Sequence, residues 1–485
     1  MDAKHLDDLA PGASIDGFTL GDCVHAGAMG RIFRVSGPDT GFPLLMKVPY
    51  FGPAHDEEGL ISFETEAMIM PALAEAHVPR FVAAGDLARV PYVVMEWIAG
   101  ASLDSRIEDG KLPAPDVARI GAAIADALHG IHQQEVIHLD LKPDNIILTP
   151  SGEVRLIDFG LAHHARLPDL LAEEKRFAAG SAPYISPEQV LGTRSDPRSD
   201  IFALGVVLYE LVTGELPFGA PATIAGLRDR LWKDPLPPGA HTPDLPPWLQ
   251  EVILRCIEPE AAARYQSAAH VAFDLRNPDQ VVLTARAVKR ERAGVLSQIH
   301  RWWNSRGVGI EATRAPSRVI LASAPVFMVA VDTSHPDDER QPYLQRTIRQ
   351  MLALPMEFRL ICVSVIRGVS GEIDDNSGSA AHLEHLVRLR HWVEPLRLPQ
   401  QRLSLHVIES VNAAATLLDF ASRNHVDVIV LGAPDASQRG LAWWRSVASG
   451  VTANAHCSVH VVRVPRLHHT ALEAAPDTDD PGTLD

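Results

Sequence analysis

The chain has 485 residues, 46% of them apolar and 22% charged, a composition of folded globular protein with room for about two to four domains. Its formal net charge of −17 excludes broad nucleic-acid binding, which needs a basic face. The four cysteines, Cys23, Cys256, Cys362 and Cys457, form no CxxC pair, so a reducing cytoplasm is expected rather than a disulfide framework or a zinc site. The polar start, Met1-Asp2-Ala3-Lys4-His5, does not read as a signal peptide, and no apolar run approaches the ~18 residues that span a bilayer.

After an N-terminal extension (1–14), Val24-His25-Ala26-Gly27-Ala28-Met29-Gly30-Arg31-Ile32-Phe33 reads as a hairpin. Gly27 and Gly30 allow backbone N–H groups to approach a phosphate, where side chains would block it. His25 stands where a further glycine would complete the G-x-G-x-x-G pattern. Leu44-Leu45-Met46-Lys47 reads as a buried strand ending in a lysine. Phe63-Glu64-Thr65-Glu66-Ala67 reads as a helix that offers that lysine a partner, Glu66 first and Glu64 second. Tyr92-Val93-Val94-Met95-Glu96-Trp97-Ile98 is a strand running into a connection. His138-Leu139-Asp140-Leu141-Lys142-Pro143-Asp144-Asn145 and Asp158-Phe159-Gly160 then follow, and after them come Ser186-Pro187-Glu188, the helical Ser199-Asp200-Ile201-Phe202, and Arg264.

In this order, from Ile15 to Arg276, the motifs resemble the protein kinase family. Gly180-Ser181-Ala182-Pro183-Tyr184-Ile185-Ser186-Pro187-Glu188 and Tyr265-Gln266-Ser267-Ala268 resemble its bacterial Ser/Thr-directed members. The resemblance implies a bilobal α+β domain over 15–276. It also implies transfer of the γ-phosphate of Mg-ATP to Ser/Thr of protein substrates, with autophosphorylation. Asp140 would accept or orient the hydroxyl proton, and Lys142 would steady the transferring phosphate. Asn145 and Asp158 would hold Mg²⁺, with Mn²⁺ the alternative. Lys47, paired with Glu66, would touch the α- and β-phosphates. Val24, Gly27, Gly30, Ile32 and Leu45 would cover the nucleotide, Met95 would back the adenine slot, and backbone groups of Glu96 and Ile98 would bond the purine edge. A Glu188–Arg264 pair would hold the substrate platform, and Asp200 would brace the catalytic loop.

Two departures bear on control. Leu139 stands where many kinases place an arginine that reads a phosphate on the activation loop. The loop from Leu161 to Ile185 has no threonine, and its only hydroxyls, Ser181 and Tyr184, lie at its end, whereas Glu173 and Glu174 supply fixed negative charge in the middle. Activity independent of loop phosphorylation is therefore expected. His25 is either a surface spectator or a group near the phosphates that titrates around pH 6–7. His25, Leu139 and the sparse loop also support a rival, a pseudokinase scaffold. A small-molecule kinase of similar fold fits less well with Ser186-Pro187-Glu188 and Arg264.

Residues 277–316 are a basic linker, in which Val295, Leu296, Ile299, Trp302 and Trp303 make an apolar stripe at helical spacing. Docking on a neighbouring domain is expected, with an anionic membrane or a free linker as alternatives. From Ser317 the pattern alternates: strands at Val326–Asp332, Phe358–Ile366, Leu403–Ile408, Asp427–Leu431 and Ser458–Val464, and helices at Tyr343–Leu354, Ala380–Leu396, Ala413–Asn424 and Trp443–Ala455. Such alternation implies a parallel sheet covered on both faces. With Val331-Asp332-Thr333-Ser334 and Val428-Ile429-Val430-Leu431-Gly432-Ala433-Pro434, the stretch 317–466 resembles the universal stress protein family, which implies a flavodoxin-like α/β domain with a five-stranded parallel sheet. Asp332, Gly432 and Ser446 are its candidate nucleotide contacts. Asp435 and Arg445 replace glycines of the ATP-binding pattern, which favours a sensory or dimerising role, and the last strand is an edge able to pair two chains as a homodimer. The tail, 467–485, is acidic and expected to be disordered.

Overall fold

The computed structural model describes residues 9–27, 30–50, 57–74, 76–85, 90–174, 180–291, 325–335, 341–352, 358–367, 378–399, 402–433 and 447–463. The apolar stripe of the linker, Glu174's side chain, Ser446, Asp435, Arg445 and the acidic tail lie outside these residues.

The first lobe is an antiparallel sheet of β1 (Ser14–Ile15), β2 (Phe18–Ala26), β3 (Gly30–Ser36), β4 (Leu44–Pro49), β5 (Phe81–Ala84) and β6 (Val93–Glu96), in the order β1-β2-β3-β4-β6-β5, with helix α1 (Glu57–Ile69) against it. Register sorts its side chains. Ile32 faces Lys47, Lys47 faces Val93, and Leu45 faces Met95 across the ladders. Because strand side chains alternate, these residues share one face, and Phe33, Met46 and Val94 share the other. The second set packs with Phe18, Leu20 and Tyr92 into a core of its own. The first set is left to face the second lobe.

The second lobe contains β7 (Ala101–Ser102), α2 (Leu103–Glu108), α3 (Ala114–His132), β8 (Val136–Ile137), β9 (Ile146–Leu148), β10 (Val154–Leu156), β11 (His163–His164) and α4 (Leu170–Glu174), then α5 (Pro187–Val190), α6 (Arg198–Thr213), α7 (Ile224–Arg228), α8 (Pro238–His241), α9 (Pro247–Cys256) and α10 (Ala268–Arg276). Helix α6 is buried from Ser199 to Tyr209, apolar nearly all round, and therefore central. Two glycines set how closely its neighbours approach. A Cβ on Gly205 would stand 2.5 Å from Cys256 Cβ, and one on Gly121 the same distance from Leu208 Cδ2. The helix stops at Gly214, whose φ of 74° suits a residue without a side chain.

The platform pair forms as the sequence suggests. The Arg264 fork meets both oxygens of Glu188 at 2.7 and 2.9 Å, and its other N–H groups donate to the carbonyls of Glu258, Pro259 and Arg198. The beginning of the basic linker packs on this lobe in turns and short 3₁₀ structure. Arg286 pairs with Glu258 at 2.7 Å and Glu251 at 3.1 Å, and Lys289 with Asp234 at 2.8 Å. These cations therefore neutralise acidic groups of the lobe.

The second domain is a parallel sheet in the order β14-β13-β12-β15-β16, formed by β12 (Val326–Ala330), β13 (Arg359–Ile366), β14 (Leu403–Glu409), β15 (Val428–Gly432) and β16 (Ser458–Val462). Helices α11 (Gln341–Leu352), α12 (Gly378–Val393), α13 (Ala413–Arg423) and α14 (Val447–Asn454) alternate with the strands. Met328, Ile361, Val363 and Ile429 pack with Leu417 and Phe420 of α13 and with Val451 of α14. Val329, Leu360, Cys362 and Val430 pack with Leu344, Ile348 and Leu389 of α11 and α12. Both faces are covered, which is why these strands read as continuous apolar runs.

Arg264→Met should destabilise the kinase-like domain by about 3–5 kcal/mol, because it leaves the Glu188 carboxylate without its buried partner. Urea denaturation of the full chain measures this, and a loss below about 1 kcal/mol, the worth of a surface pair, would contradict it.

Candidate active site

The cleft lies between the lower face of the first sheet and the loop that follows β8. Above it, Gly27 N donates to Gly30 O at 3.0 Å and closes the turn end of the hairpin. A Cβ on Gly30 would come within 2.4 Å of Val48 O, so strand packing alone demands glycine there. His25 is exposed, and its Nε2 would be 2.9 Å from a Cβ on Gly27. Val24 is 41% exposed, and Ile32 and Leu45 are half-buried on the cleft face. At the end of β6, Met95 is buried and Ile98 half-buried, while the Glu96 carboxylate is spent on Arg80 at 3.0 and 3.1 Å.

Lys47 joins two carboxylates. Its Nζ lies 2.7 Å from Glu66 Oε2 and 3.0 Å from Asp158 Oδ1. Burial works against the Lys47 cation, but Asp158 and Glu66 outweigh it and raise its pKa. For Asp158 the surroundings likewise oppose the anion, and Lys47 overcomes them, holding the carboxyl at about 2. Of the two helix candidates, then, Glu66 is the partner of Lys47. Glu64 points elsewhere, to Arg390 of the second domain at 3.2 Å. Glu66 also accepts from Phe159 N at 3.3 Å, which ties helix α1 to the Asp158-Phe159-Gly160 turn. Gly160 lets that helix approach, since a Cβ there would sit 2.0 Å from Ser62 Oγ.

Below, Asp200 accepts from His138 N at 2.9 Å and Leu139 N at 2.8 Å, and its Oδ2 lies 2.8 Å from His132 Nε2. Burial disfavours the Asp200 anion, yet these partners lower its pKa. The bracing holds an unusual backbone: Leu139 has φ 60° and Asp158 φ 65°, left-handed values that cost a non-glycine residue roughly 1–3 kcal/mol. Leu139 O is fixed by Gln189 Nε2 at 2.8 Å, and the leucine side chain is buried. His138 Nε2 meets Ile157 O at 3.1 Å, linking the loop to the turn.

Asp140 is the meeting point. Its Oδ1 accepts from Ser181 N at 2.9 Å, and its Oδ2 lies 3.2 Å from Lys142 Nζ and 3.1 Å from Asn145 Nδ2. Lys142 also donates to Ser181 Oγ at 3.1 Å. Asn145 spends its amide hydrogens on Asp140, leaving the amide oxygen as the donor for a cation. Asp158 stays 39% exposed and ionised. Among the described residues no three His, Cys, Asp or Glu could hold a metal by themselves. One carboxylate and one amide oxygen fit a hard cation that takes its other ligands from phosphate and water.

Several groups escaped sequence reasoning. Ser181, expected only as a hydroxyl at the end of the loop, contacts both Asp140 and Lys142. Asp169 takes Arg194 Nε on both oxygens at 3.0 Å and His163 at 3.1 Å, anchoring the activation segment. Glu173, expected to supply fixed negative charge in the middle of the loop, is buried against Arg359 and His406. No local pattern announces such pairs. In the second domain, Asp332 lies two residues past the end of β12 and Gly432 ends β15, the neighbouring strands where the chain order reverses and where ligands of such sheets bind. Asp332 is exposed and accepts from Ser334 N at 3.0 Å.

Residues 18–272 match the protein kinase domain family, and residues 326–463 match the universal stress protein family. A probable serine/threonine-protein kinase of Clostridium acetobutylicum is 34% identical over 223 residues, 46% of this chain and 34% of that protein. The probable serine/threonine-protein kinase PknB of Corynebacterium glutamicum is 32% identical over 269 residues, 54% of this chain and 42% of that protein. The chain thus spans well under half the length of these curated relatives. The solved kinase domain of Mycobacterium tuberculosis PknI is 26% identical and aligns with 56% of this chain and 100% of that one, at a TM-score of 0.46.

Gly160→Ala should force helix α1 away from the turn. Overpacking of this kind costs about 1–3 kcal/mol, so transfer activity is expected to fall roughly tenfold to a hundredfold. Adding Ser62→Ala, which removes the clashing oxygen, should recover part of the loss. A Gly160→Ala protein with unchanged activity would contradict the close approach.

Proposed function

This chain belongs to the protein kinase family, and we propose that it transfers the γ-phosphate of Mg-ATP to serine or threonine hydroxyls of proteins, its own included. The observation that carries the reading is the convergence of Asp140, Lys142 and Ser181 beneath an assembled Lys47–Glu66–Asp158 cluster. Asn145 and Asp158 would hold magnesium, or manganese, which when bound would neutralise charge along the triphosphate. Lys47, kept cationic by its two carboxylates, draws the α- and β-phosphates toward the sheet face. Ile32, Leu45 and Met95 present that face to the base, and backbone groups of Glu96 and Ile98 bond its edge. Asp140 accepts the hydroxyl proton as the acceptor oxygen bonds to the γ-phosphorus and the bond to the ADP oxygen breaks. Lys142 reaches the same point and offsets charge on the moving phosphoryl group. Neither step needs a residue this chain lacks.

The second domain takes a sensory or pairing role in this reading. Its crevice keeps Asp332 and Gly432, and β16 is an edge strand with alternating exposed positions, suited to joining two chains. The four separated, free cysteines support residence in a reducing compartment, the cytoplasm in this reading. Among the described residues no helix is long and apolar enough to cross a membrane.

The test is transfer of labelled γ-phosphate by the full chain to itself and to a generic protein acceptor, with Asp140→Asn alongside. The variant should lose about 10²–10⁴ in rate, the worth of a positioned proton acceptor, while still binding ATP. Wild type that binds ATP yet transfers no label with Mg²⁺ or Mn²⁺ would overturn the reading in favour of a scaffold.

A further inference from the structure

Helix α1 and the activation segment carry acidic side chains that phosphoryl transfer does not use, and both meet basic groups of the second domain. Glu173, in α4, is 3% exposed. Its Oε2 lies 2.5 Å from His406 Nε2, which must carry the hydrogen, because a carboxylate only accepts. Its Oε1 pairs with the Arg359 guanidinium. Glu64, on α1 two positions before Glu66, pairs with Arg390 at 3.2 Å. Arg359 opens β13, His406 lies in β14, the edge strand opposite β16, and Arg390 belongs to α12. Three elements of one domain thus converge on two elements of the other.

The two kinase elements are also joined to each other. Ile61 of α1 packs on Leu170 and Leu171 of α4, with Met68 and Leu161 beside them. The start of α4 is fixed from within the kinase domain: Asp169 Oδ1 accepts from Ala172 N at 3.1 Å, and Arg194 grips the Asp169 carboxylate and Leu161 O. The far end of α4 is held by Arg359 and His406. A shift of the second domain would therefore pull on α4 and α1 together, and α1 carries Glu66.

A buried carboxylate met by a guanidinium and an imidazole is chemically what a phosphate on this loop would need: fixed negative charge and basic groups to read it. The kinase domain itself offers Leu139 where an arginine could do this. We propose that the universal stress protein domain is a built-in activator of the kinase domain, with Arg359, His406 and Arg390 as positioning residues. They read Glu173 and Glu64 and thereby keep α1, and with it Glu66, at Lys47. The proposal rests on the kinase reading above.

The experiment uses the full chain and three variants checked for wild-type melting: Glu64→Arg, Arg390→Glu and the double exchange. Glu173→Gln is a fourth. Two quantities are read, the transfer rate to a generic acceptor at saturating Mg-ATP, and hydrogen exchange across residues 57–69. Each folded single variant should slow transfer about tenfold and speed exchange in 57–69, whereas the double exchange should return both to within about threefold of wild type. Single variants that keep the wild-type rate and exchange would overturn the proposal. So would single variants that transfer faster, since the domain would then restrain the kinase. A wild-type chain that transfers no phosphate sinks the kinase reading alone, because exchange in 57–69 still reports whether the second domain holds α1.

Discussion

The ion pair between Lys47 and Glu66 connects a strand, a helix and, through Asp158 and Phe159, the turn after the catalytic loop. Its members lie in different elements, so the pair exists only while helix α1 stays against the sheet and the turn. Gly160 permits the approach, and Ile61 and Met68 set it against α4. Charge then follows from position. Lys47 remains a cation in a half-buried place because two carboxylates surround it, and Asp158 remains an anion because Lys47 faces it. A nucleotide arriving in the cleft would find its counter-charges already placed, which is the preorganisation that phosphoryl transfer requires.

Beneath that pair, the catalytic loop shows how a rigid helix can hold a strained backbone. Helix α6 is buried at the centre of the lobe, and Asp200 near its start accepts from two consecutive loop N–H groups. Left-handed backbone at Leu139 is tolerable only with such over-determination. The same residue's carbonyl is held from α5 by Gln189, so substrate platform and catalytic loop move as one. Asp140 is then held among Ser181, Lys142 and Asn145.

Much of this was legible in the sequence because kinase chemistry is written in short local runs. His138 to Asn145 and Asp158 to Gly160 carry residue types that metal and phosphate chemistry dictate, and the structure brings them together. The β-α alternation after residue 325 likewise gave the second sheet to within a few residues per element, since strands covered on both faces are apolar throughout. Pairing over distance was harder to see. Glu64 and Glu66 are indistinguishable by type, and only the direction each takes from the helix assigns one to Lys47 and the other to Arg390. Glu173 and His406 are 233 residues apart and sit in no motif. A glutamate in an activation loop reads as exposed charge until the opposing strand is seen. Arg194 is equally silent, an ordinary arginine after a short helix until Asp169 is found at its Nε.

One measurement tests the central claim, that the cleft is assembled without modification of the loop. It is the early time course of γ-phosphate transfer from Mg-ATP to a protein acceptor, by the 485-residue chain shown by mass spectrometry to carry no phosphate. The account predicts the full rate from the first turnover, with no lag. A lag that ends only as phosphate accumulates on the activation segment would contradict it.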